Sequence, residues 1–150
     1  MTFYVISGST LGTAEAAAES IVEEYNQQHP ETPAKVLHSP SLEAIADATR
    51  LVVVCASYGA GEFPDSFYPL AQQIEKADKP FPQLEKLLLI GVGSSDYDTF
   101  NGAIDLLANI FAAKDIHPVA TPAKIDIVET FEPDVAAVDY FNLHADEFLA

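Results

Sequence analysis

Short apolar runs alternate along this chain with longer segments in which apolar residues recur every three or four positions. The runs predict strands at 3–6, 51–56 and 87–92, weaker strands at 34–38 and 119–121, and a segment at 124–127 that continues or pairs nearby. Two of them, 51–56 and 87–92, are apolar on both faces. Strands of that kind are expected where helices cover both sides of a parallel sheet.

The periodic segments predict at least four helices. Their inner faces are formed by Ala14, Ala17, Ala18, Ile21, Val22 and Tyr25, by Phe67, Leu70, Ala71 and Ile74, by Phe100, Ile104, Leu107, Ala108 and Phe111, and by Val135, Val138, Phe141, Ala145 and Phe148. Prolines mark the boundaries, since the first helix stops before Pro30, the second before Pro80, and the last begins near Pro133. Strict alternation of strands and helices predicts an α/β protein with a three-layer, doubly wound sheet, in a single domain spanning 1–150.

Composition narrows the class of partner and the compartment. The 150 residues include 23 acidic and 7 basic side chains, a formal charge of −16, which argues against nucleic acid because phosphate binding depends on Lys and Arg. Cys55 is the single cysteine, so neither an internal disulfide nor a cysteine-based metal cage is expected. With no signal-peptide pattern and no apolar run of about 18 residues, we expect a cytoplasmic protein outside the membrane.

Candidate chemistry lies in the loops that follow the strands, because ligands of open α/β sheets bind beyond the carboxyl ends of the strands. The first loop, 7–15, carries hydroxyls at Ser9, Thr10 and Thr13 and opens directly into a helix, which favours a phosphate. It has no lysine, unlike a nucleotide-hydrolysing P-loop, and no Gly-x-Gly-x-x-Gly for a dinucleotide. A single phosphate monoester is therefore indicated, and simple helix capping by these residues is the alternative.

Two further loops each place a tyrosine beside small residues. Tyr58 precedes Gly59 and Gly61 after the third strand, and Tyr97 follows Ser94 and Ser95 after the fourth. Two tyrosines flanking one crevice predict a flat aromatic ligand held between rings.

Together the three loops resemble those of flavodoxins and of the FMN domain of cytochrome P450 reductase. The segments Ile6-Ser7-Gly8-Ser9-Thr10-Leu11-Gly12, Gly59-Ala60-Gly61 and Tyr97-Asp98-Thr99-Phe100, the last followed by Gly102-Ala103-Ile104-Asp105, are especially similar to short-chain flavodoxins of the MioC type. The resemblance covers nearly the whole chain. It implies five parallel strands in the order 2-1-3-4-5, non-covalently bound FMN and one-electron transfer.

The resemblance also implies roles for individual residues. Residues 9–14 would hold the phosphate, Tyr58 and Tyr97 would stack on the isoalloxazine, Gly59 would be a hinge near flavin N5, and residues 92–101 would line the pyrimidine side. The full set of implied cofactor-binding residues is Ser9, Thr10, Leu11, Gly12, Thr13, Ala14, Ser57, Tyr58, Gly59, Ala60, Gly61, Gly93, Ser94, Ser95, Tyr97, Phe100, Asn101 and Asp126. No side chain is expected to act as a catalytic group or a metal ligand.

Two positions depart from the family pattern. Leu11 stands where the family often has a hydroxyl residue, which predicts weaker binding of the phosphate. Tyr58 stands where many flavodoxins have Trp, as in the reductase domain. Acidic side chains in these loops, Glu62, Asp65, Asp96, Asp98 and Asp105, are expected to lower the potential of the reduced flavin by like-charge repulsion.

The expected partners are redox proteins with basic faces, namely a flavodoxin/ferredoxin NADP reductase and an acceptor enzyme, with the protein itself a monomer. Similarity to MioC-type proteins implies biotin synthase as one acceptor. The alternative is an FMN-dependent quinone or NAD(P)H oxidoreductase on the same fold. A receiver-type signalling domain is a third interpretation, but Ser7 and Ser57 stand where it needs acidic residues.

Overall fold

The computed structural model describes residues 1–9 and 11–150, so the predicted phosphate contact of Thr10 lies outside the described residues. The strands are β1 (Phe3–Gly8), β2 (Lys35–His38), β3 (Arg50–Ala56), β4 (Lys86–Gly93) and β5 (Ala123–Asp126). The helices are α1 (Thr13–Gln28), α2 (Leu42–Ile45), α3 (Tyr68–Lys76), α4 (Gly102–Ala112) and α5 (Pro133–Leu149). The strands form one parallel sheet in the order β2-β1-β3-β4-β5, which confirms the predicted fold.

The apolar character of β3 and β4 on both faces has a direct structural cause. Alternate residues along each strand point to opposite sides of the sheet. On one side Val52 and Leu88 pack under α1 and α5, and on the other Leu51 and Leu87 pack under α2, α3 and α4. Strand β2 lies at the edge, and its residues are only half-buried or exposed.

The fifth strand lies further along the chain than the apolar run at 119–121 predicts. Val119 does donate its N–H to Leu87 O at 2.9 Å, but the ladder with β4 forms later, where Ala123 pairs with Ile90 and Asp126 with Gly93. This register places the end of β5 beside the end of β4. The expectation of a strand at 119–121 is therefore wrong, and the segment predicted at 124–127 overlaps β5, which spans Ala123–Asp126.

The structure also differs from the sequence prediction at two residues expected on the inner faces of helices, Val135 and Phe100. In α5 the buried face is formed by Ala137, Phe141 and Phe148, whereas Val135 is exposed. Val135 lies two residues from Ala137, about 200° around the helix, and so faces away from the sheet. Phe100 precedes the first residue of α4 and is only half-buried.

At the end of the sheet opposite the strand-following loops, Arg50 joins the start of β3 to the end of α5. Its Nε and Nη2 donate to the carbonyl oxygens of Phe148 and Ala150, each at 2.8 Å, and its Nη1 donates to Glu85 Oε1 at 2.8 Å. Hydrogen bonding by Arg50, followed by its charge, lowers the pKa of Glu85. A guanidinium is well suited to this position because the carboxyl end of a helix carries partial negative charge.

None of the helices within the described ranges is long and apolar enough to cross a membrane.

Candidate functional site

A cleft of about 550 Å³ opens beyond the carboxyl ends of β1, β3 and β4. Strand order reverses here, because the chain leaves β1 for β2 on one side and returns to β3 on the other, which is the usual ligand position in this architecture. The cleft is lined by Ser9, Leu11, Thr13, Ala56, Ser57, Tyr58, Gly59, Val92, Gly93, Ser94, Tyr97 and Ile127. All three loops singled out in the sequence contribute to it.

The first loop is shaped by Ser9 and Gly12. Ser9 Oγ accepts the N–H of Gly12 at 3.0 Å and donates to Glu15 Oε1 at 3.3 Å. Gly12 has a left-handed conformation, φ 86°, and immediately precedes α1 without a side-chain cap on the helix. The hydroxyl of Ser9 thus organises the loop, which leaves the positive end of the α1 dipole beside Thr13, where the cleft begins.

The second loop is a closed turn of three residues. Tyr58 N donates to Glu62 O and Glu62 N donates to Tyr58 O, each at 2.8 Å, and these bonds close 59–61 into a hairpin. Gly59 and Gly61 both have positive φ, 55° and 88°, which is why the turn needs glycine there. A side chain at Gly59 would meet nothing within 4 Å, whereas one at Gly61 would lie 2.7 Å from Thr99 Cγ2. Gly59 therefore faces open space and Gly61 is packed.

The third loop, which carries Tyr97, is held by Asp126 at the end of β5. Asp126 Oδ1 accepts N–H groups from Ser95 at 3.1 Å and from Val128 at 3.0 Å. Hydrogen bonding by Ser95, through its side chain first and then its backbone, lowers the pKa of Asp126. Asp126 is not among the residues that line the cleft, so in this structure it holds the Tyr97 loop.

Asn101 and Ser57 have roles in the framework of the site. Asn101 is buried, and its Nδ2 donates to Ile125 O at 3.2 Å. A side chain on Gly91 would come within 2.8 Å of Asn101 Oδ1, which explains the glycine in the middle of a buried strand. Ser57 lines the cleft, and its Oγ also accepts the N–H of Ala103 at 3.0 Å at the start of α4.

The cleft thus includes many, but not all, of the residues assigned to the cofactor. Those within it are Ser9, Leu11, Thr13, Ser57, Tyr58, Gly59, Gly93, Ser94 and Tyr97, and those outside it are Gly12, Ala14, Ala60, Gly61, Ser95, Phe100, Asn101 and Asp126. Val92, which also lines the cleft, begins the segment expected beside the ring, whereas Ala56 and Ile127 were not expected at the site. Ala56 ends β3 and Ile127 directly follows β5, so their apolar character indicated only a core.

A chain of hydrogen bonds beside the first loop could not be deduced from the sequence. Ser7 Oγ bonds to His38 Nδ1, and His38 Nε2 bonds to Glu19 Oε1 at 2.9 Å. It links β1, β2 and α1, the elements around the first loop. Ser7 and His38 are paired in the β1/β2 register, and only that register identifies them as neighbours.

The field around the cleft is acidic. No Lys or Arg occurs in 51–75 or 87–113, the stretches that contain the two tyrosine loops. Lys124, which lies nearby on β5, is paired with Asp105 at 2.8 Å. Burial raises the pKa of the Cys55 thiol at the end of β3, which keeps it neutral. Across 1–9 and 11–150, no three His, Cys, Asp or Glu side chains are grouped as a metal site.

A doubly wound sheet in the order 2-1-3-4-5, with a tyrosine-walled cleft at its switch point and a hydroxyl-rich loop opening into α1, defines a protein of the flavodoxin-like class. The family model described as flavodoxin matches residues 5–136, so the chain belongs to the flavodoxin family. Flavodoxins are electron carriers rather than enzymes, which confirms the prediction of an electron carrier.

Named relatives agree with the MioC-type resemblance. A MioC homolog from Pasteurella multocida is 35% identical over 133 residues, which cover 89% of this chain and 88% of the relative. MioC from Escherichia coli K12 is 33% identical over 92% of each chain. Among solved structures, a cysteine-to-serine mutant of flavodoxin from Pseudomonas aeruginosa superimposes with a TM-score of 0.85 at 27% identity over the full length of both chains.

Proposed function

We propose that this protein binds FMN non-covalently in the 550 Å³ cleft and carries single electrons from an NAD(P)H-dependent reductase to acceptor enzymes. FMN and electron transport follow from membership of the flavodoxin family. The observation that carries the proposal is the position of Tyr58 and Tyr97 in one cleft with Thr13 at the start of α1. A flat aromatic ring with a phosphate fits this combination of walls and helix terminus.

The residues present suit the two ends of FMN. Ser9, Thr13 and the amino end of α1 would hold the phosphate through hydroxyls, N–H groups and the helix dipole. Tyr58 and Tyr97 would hold the ring. The cleft volume also falls within the range of about 300–1,000 Å³ that is usual for cofactor sites. When bound, FMN supplies the redox chemistry, and the protein sets its orientation and electrostatics.

The turn at Gly59 gives the backbone a way to respond to a proton on the flavin. Tyr58 and Glu62 fix the two ends of the turn through reciprocal hydrogen bonds, and the space beside Gly59 is open. We expect the Gly59–Ala60 peptide to rotate while the ends of the turn stay in place, because glycine tolerates the backbone angles this needs. In one orientation its carbonyl would accept a hydrogen bond from a proton at flavin N5.

Acidic residues around the cleft supply the electrostatic part of the function. Asp96 and Asp98 are exposed beside Tyr97, and Glu62 closes the Tyr58 turn. Negative charge there opposes the accumulation of further negative charge on the reduced cofactor. The same charge attracts basic partner surfaces, an effect that decreases with salt because the Debye length falls to about 8 Å at 0.15 M.

We propose further that the protein is a cytoplasmic, monomeric, single-domain carrier, residues 1–150, that does not use nucleic acid as a partner. Its donor would be a flavodoxin/ferredoxin NADP reductase, and its acceptors would be enzymes with basic docking faces, with biotin synthase as one acceptor. The formal charge of −16 supports basic partners of this kind.

Titration of the apoprotein with FMN, followed by quenching of flavin fluorescence, tests the site. We expect one FMN per chain, with Tyr58→Ala and Tyr97→Ala each weakening binding by about two- to tenfold. Tyr68→Ala is the matched control, because Tyr68 is equally a surface tyrosine but lies outside the cleft. Affinities of the Tyr58 and Tyr97 variants equal to that of Tyr68→Ala would contradict the assignment of the cleft.

The carrier role is tested separately, by following NADPH oxidation. We expect NADPH to reduce the FMN-loaded protein only when a flavodoxin/ferredoxin NADP reductase is added, because the reductase takes the hydride and passes single electrons on. Steady NADPH oxidation without that reductase would instead establish an FMN-dependent oxidoreductase.

A further inference from the structure

The turn that follows β5, residues 127–132, begins at Ile127, which lines the cleft, and its base is held by hydrogen bonds. Ile127 N donates to Gly93 O at 2.9 Å, and Thr130 N donates to Asp126 O at 3.0 Å. Val128 N bonds to Asp126 Oδ1, and Glu132 N bonds to Thr130 Oγ1 at 3.3 Å. We call residues 127–132 the edge turn.

The edge turn presents apolar side chains to solvent. Phe131 is 98% exposed, and Val128 is also exposed. Ile127, also exposed, lines the cleft and directly precedes Val128 in the turn, and the exposed Leu11 lines the same cleft. Single exposed apolar residues are ordinary, but several adjoining ones mark a contact surface.

Phe131 and Val128 are not among the cleft-lining residues, so a cofactor that fills the cleft leaves them uncovered. The fold does not use Phe131 either, since its side chain is almost fully exposed. An aromatic side chain that neither the core nor the cleft uses is available for contact with another molecule.

The charge of the edge turn indicates what kind of molecule binds there. Glu129 and Glu132 are exposed on the turn, and the sequence has no Lys or Arg from residue 125 to residue 150. A second copy of this chain, with its own formal charge of −16, would be repelled from this surface. A partner with lysines or arginines around an apolar centre would be attracted to it.

Resting on the proposed electron-carrier function, we propose that Phe131, supported by Val128, is the apolar anchor of a docking surface at the β5 edge of the cleft. Its partners are redox proteins whose exposed cofactor edge is apolar and ringed by basic residues. The acidic residues attract the partner electrostatically, and the contact with Phe131 stabilises the complex at the side of the cleft.

The probe is cytochrome c, a basic haem protein whose haem edge is surrounded by lysines. Binding of oxidised cytochrome c to the oxidised, FMN-loaded protein is measured by calorimetry. Electron transfer is measured as the second-order rate at which the reduced protein gives one electron to the ferric haem, which becomes ferrous. Both are measured for the wild type and for Phe131→Ala, Phe131→Leu and the matched control Leu143→Ala, at low salt and at 0.15 M.

Leu143 is a suitable control because it is 76% exposed on α5, away from the residues that line the cleft. We expect Phe131→Ala to weaken binding and slow transfer by about five- to tenfold, and Leu143→Ala to change either by less than about twofold. Phe131→Leu should retain most of the wild-type affinity. The ratio of the wild-type affinity to the affinity of Phe131→Ala should be the same at 0.15 M salt as at low salt, because screening weakens interactions between charges and not apolar contacts.

Three results would overturn the inference: equal effects of Phe131→Ala and Leu143→Ala, a changed FMN affinity in Phe131→Ala, or a concentration-dependent dimer of the wild type that Phe131→Ala abolishes. The second would place Phe131 in the cofactor site, and the third would make a second copy the occupant. FMN binding and reduction of ferricyanide, a small acceptor that needs no docking surface, test the proposed function itself. If the wild type fails in these two measurements, the electron-carrier function is wrong, whatever Phe131 does.

Discussion

The backbone of Gly61 lies directly against that of Gly102. A Cβ atom on Gly102 would sit 2.9 Å from Gly61 Cα and 3.0 Å from Gly61 O, and one on Gly61 would sit 3.1 Å from Gly102 Cα. The contact joins the turn that follows Tyr58 to the first residue of α4, just beyond the loop that carries Tyr97. The spacing of the two tyrosines therefore depends on the absence of side chains at these two glycines.

Gly102→Ala is predicted to destabilise the protein. Helix propensity alone predicts the opposite sign, since Ala is favoured over Gly in a helix by about 1 kcal/mol. Here the added methyl group meets the backbone of Gly61 and Thr99 Cγ2, the latter at 2.8 Å, and backbone cannot move aside cheaply. We expect a net loss of about 1–3 kcal/mol in the free energy of unfolding by urea, together with weaker FMN binding. A gain in stability would show that the backbones of Gly61 and Gly102 can move apart at little cost.

Arg50→Ala is predicted to cost about 2–4 kcal/mol in the free energy of unfolding. The substitution leaves the carbonyl groups of Phe148 and Ala150 without their guanidinium partner and removes the link between β3 and α5. Arg50→Lys should recover only part of the lost stability. A single ammonium group cannot reproduce the N–H donors that the planar guanidinium holds in fixed directions. FMN affinity should change little, since Arg50 lies at the opposite end of the sheet.

Glu85→Gln is the control for Arg50. Glu85 is largely exposed and makes one of the bonds to Arg50, so we expect a much smaller loss of stability than for Arg50→Ala. Similar losses in Glu85→Gln and Arg50→Ala would mean that the ion pair, and not the carbonyl groups of Phe148 and Ala150, accounts for the stabilisation.

The sequence predicted the fold well because the strands in the centre of the sheet are buried on both faces. Their apolar runs are continuous, and the intervening helices have clear inner stripes. The edge strand β5 and the short helix α2 were harder to predict. The position of β5 depends on its pairing with the last residues of β4. Helix α2 has only four residues, too few to show a helical period. Pairing across a sheet is a tertiary property that local patterns do not contain.

The candidate site was predictable to the extent that its residues follow strands. Loop position and residue type were enough to find Tyr58, Tyr97 and Ser9. They could not indicate that Asp126 holds the Tyr97 loop, or that Ser7 bonds to His38, because each bond joins residues that are far apart in the sequence and are brought together by the sheet. Hydrogen-bond partners between strands depend on register, which no single loop reveals.

Asp126 predicts how the Tyr97 loop responds to acid. The hydrogen bonds from Ser95 hold the pKa of Asp126 below its ordinary value of 3.8, so folding favours the carboxylate. A group of this kind contributes its full stability above the unfolded pKa and loses it as the pH falls through the folded pKa. The stability difference between the wild type and Asp126→Asn should therefore be constant above about pH 5 and shrink at lower pH.

Urea unfolding of both proteins between pH 7 and pH 3 measures that difference, with FMN fluorescence as a second readout of the loop. Asp98→Asn is the control, because it removes the charge of an exposed carboxylate in the same loop and leaves the Asp126 carboxylate that accepts from Ser95 unchanged. A stability difference for Asp126→Asn that stays constant down to pH 3 would exclude the carboxylate as the group that holds the loop.

Leu11 predicts a gain of function. Its side chain is 92% exposed while it also lines the cleft, so replacing it costs the core nothing. Leu11→Thr would place a hydroxyl in the loop proposed to hold the phosphate. A hydrogen bond of this kind contributes about 0.5–1.5 kcal/mol, or more when the acceptor is charged, so we expect FMN to bind at least two- to tenfold more tightly.

Leu11→Ala separates the hydroxyl from the loss of the apolar side chain. It removes the same isobutyl group without adding a donor, and we expect its FMN affinity to be no higher than that of the wild type. The same fluorescence titration measures all three proteins. If Leu11→Ala tightened FMN binding as much as Leu11→Thr, the leucine would be obstructing the phosphate sterically, and the missing hydroxyl would not be the cause of weaker binding.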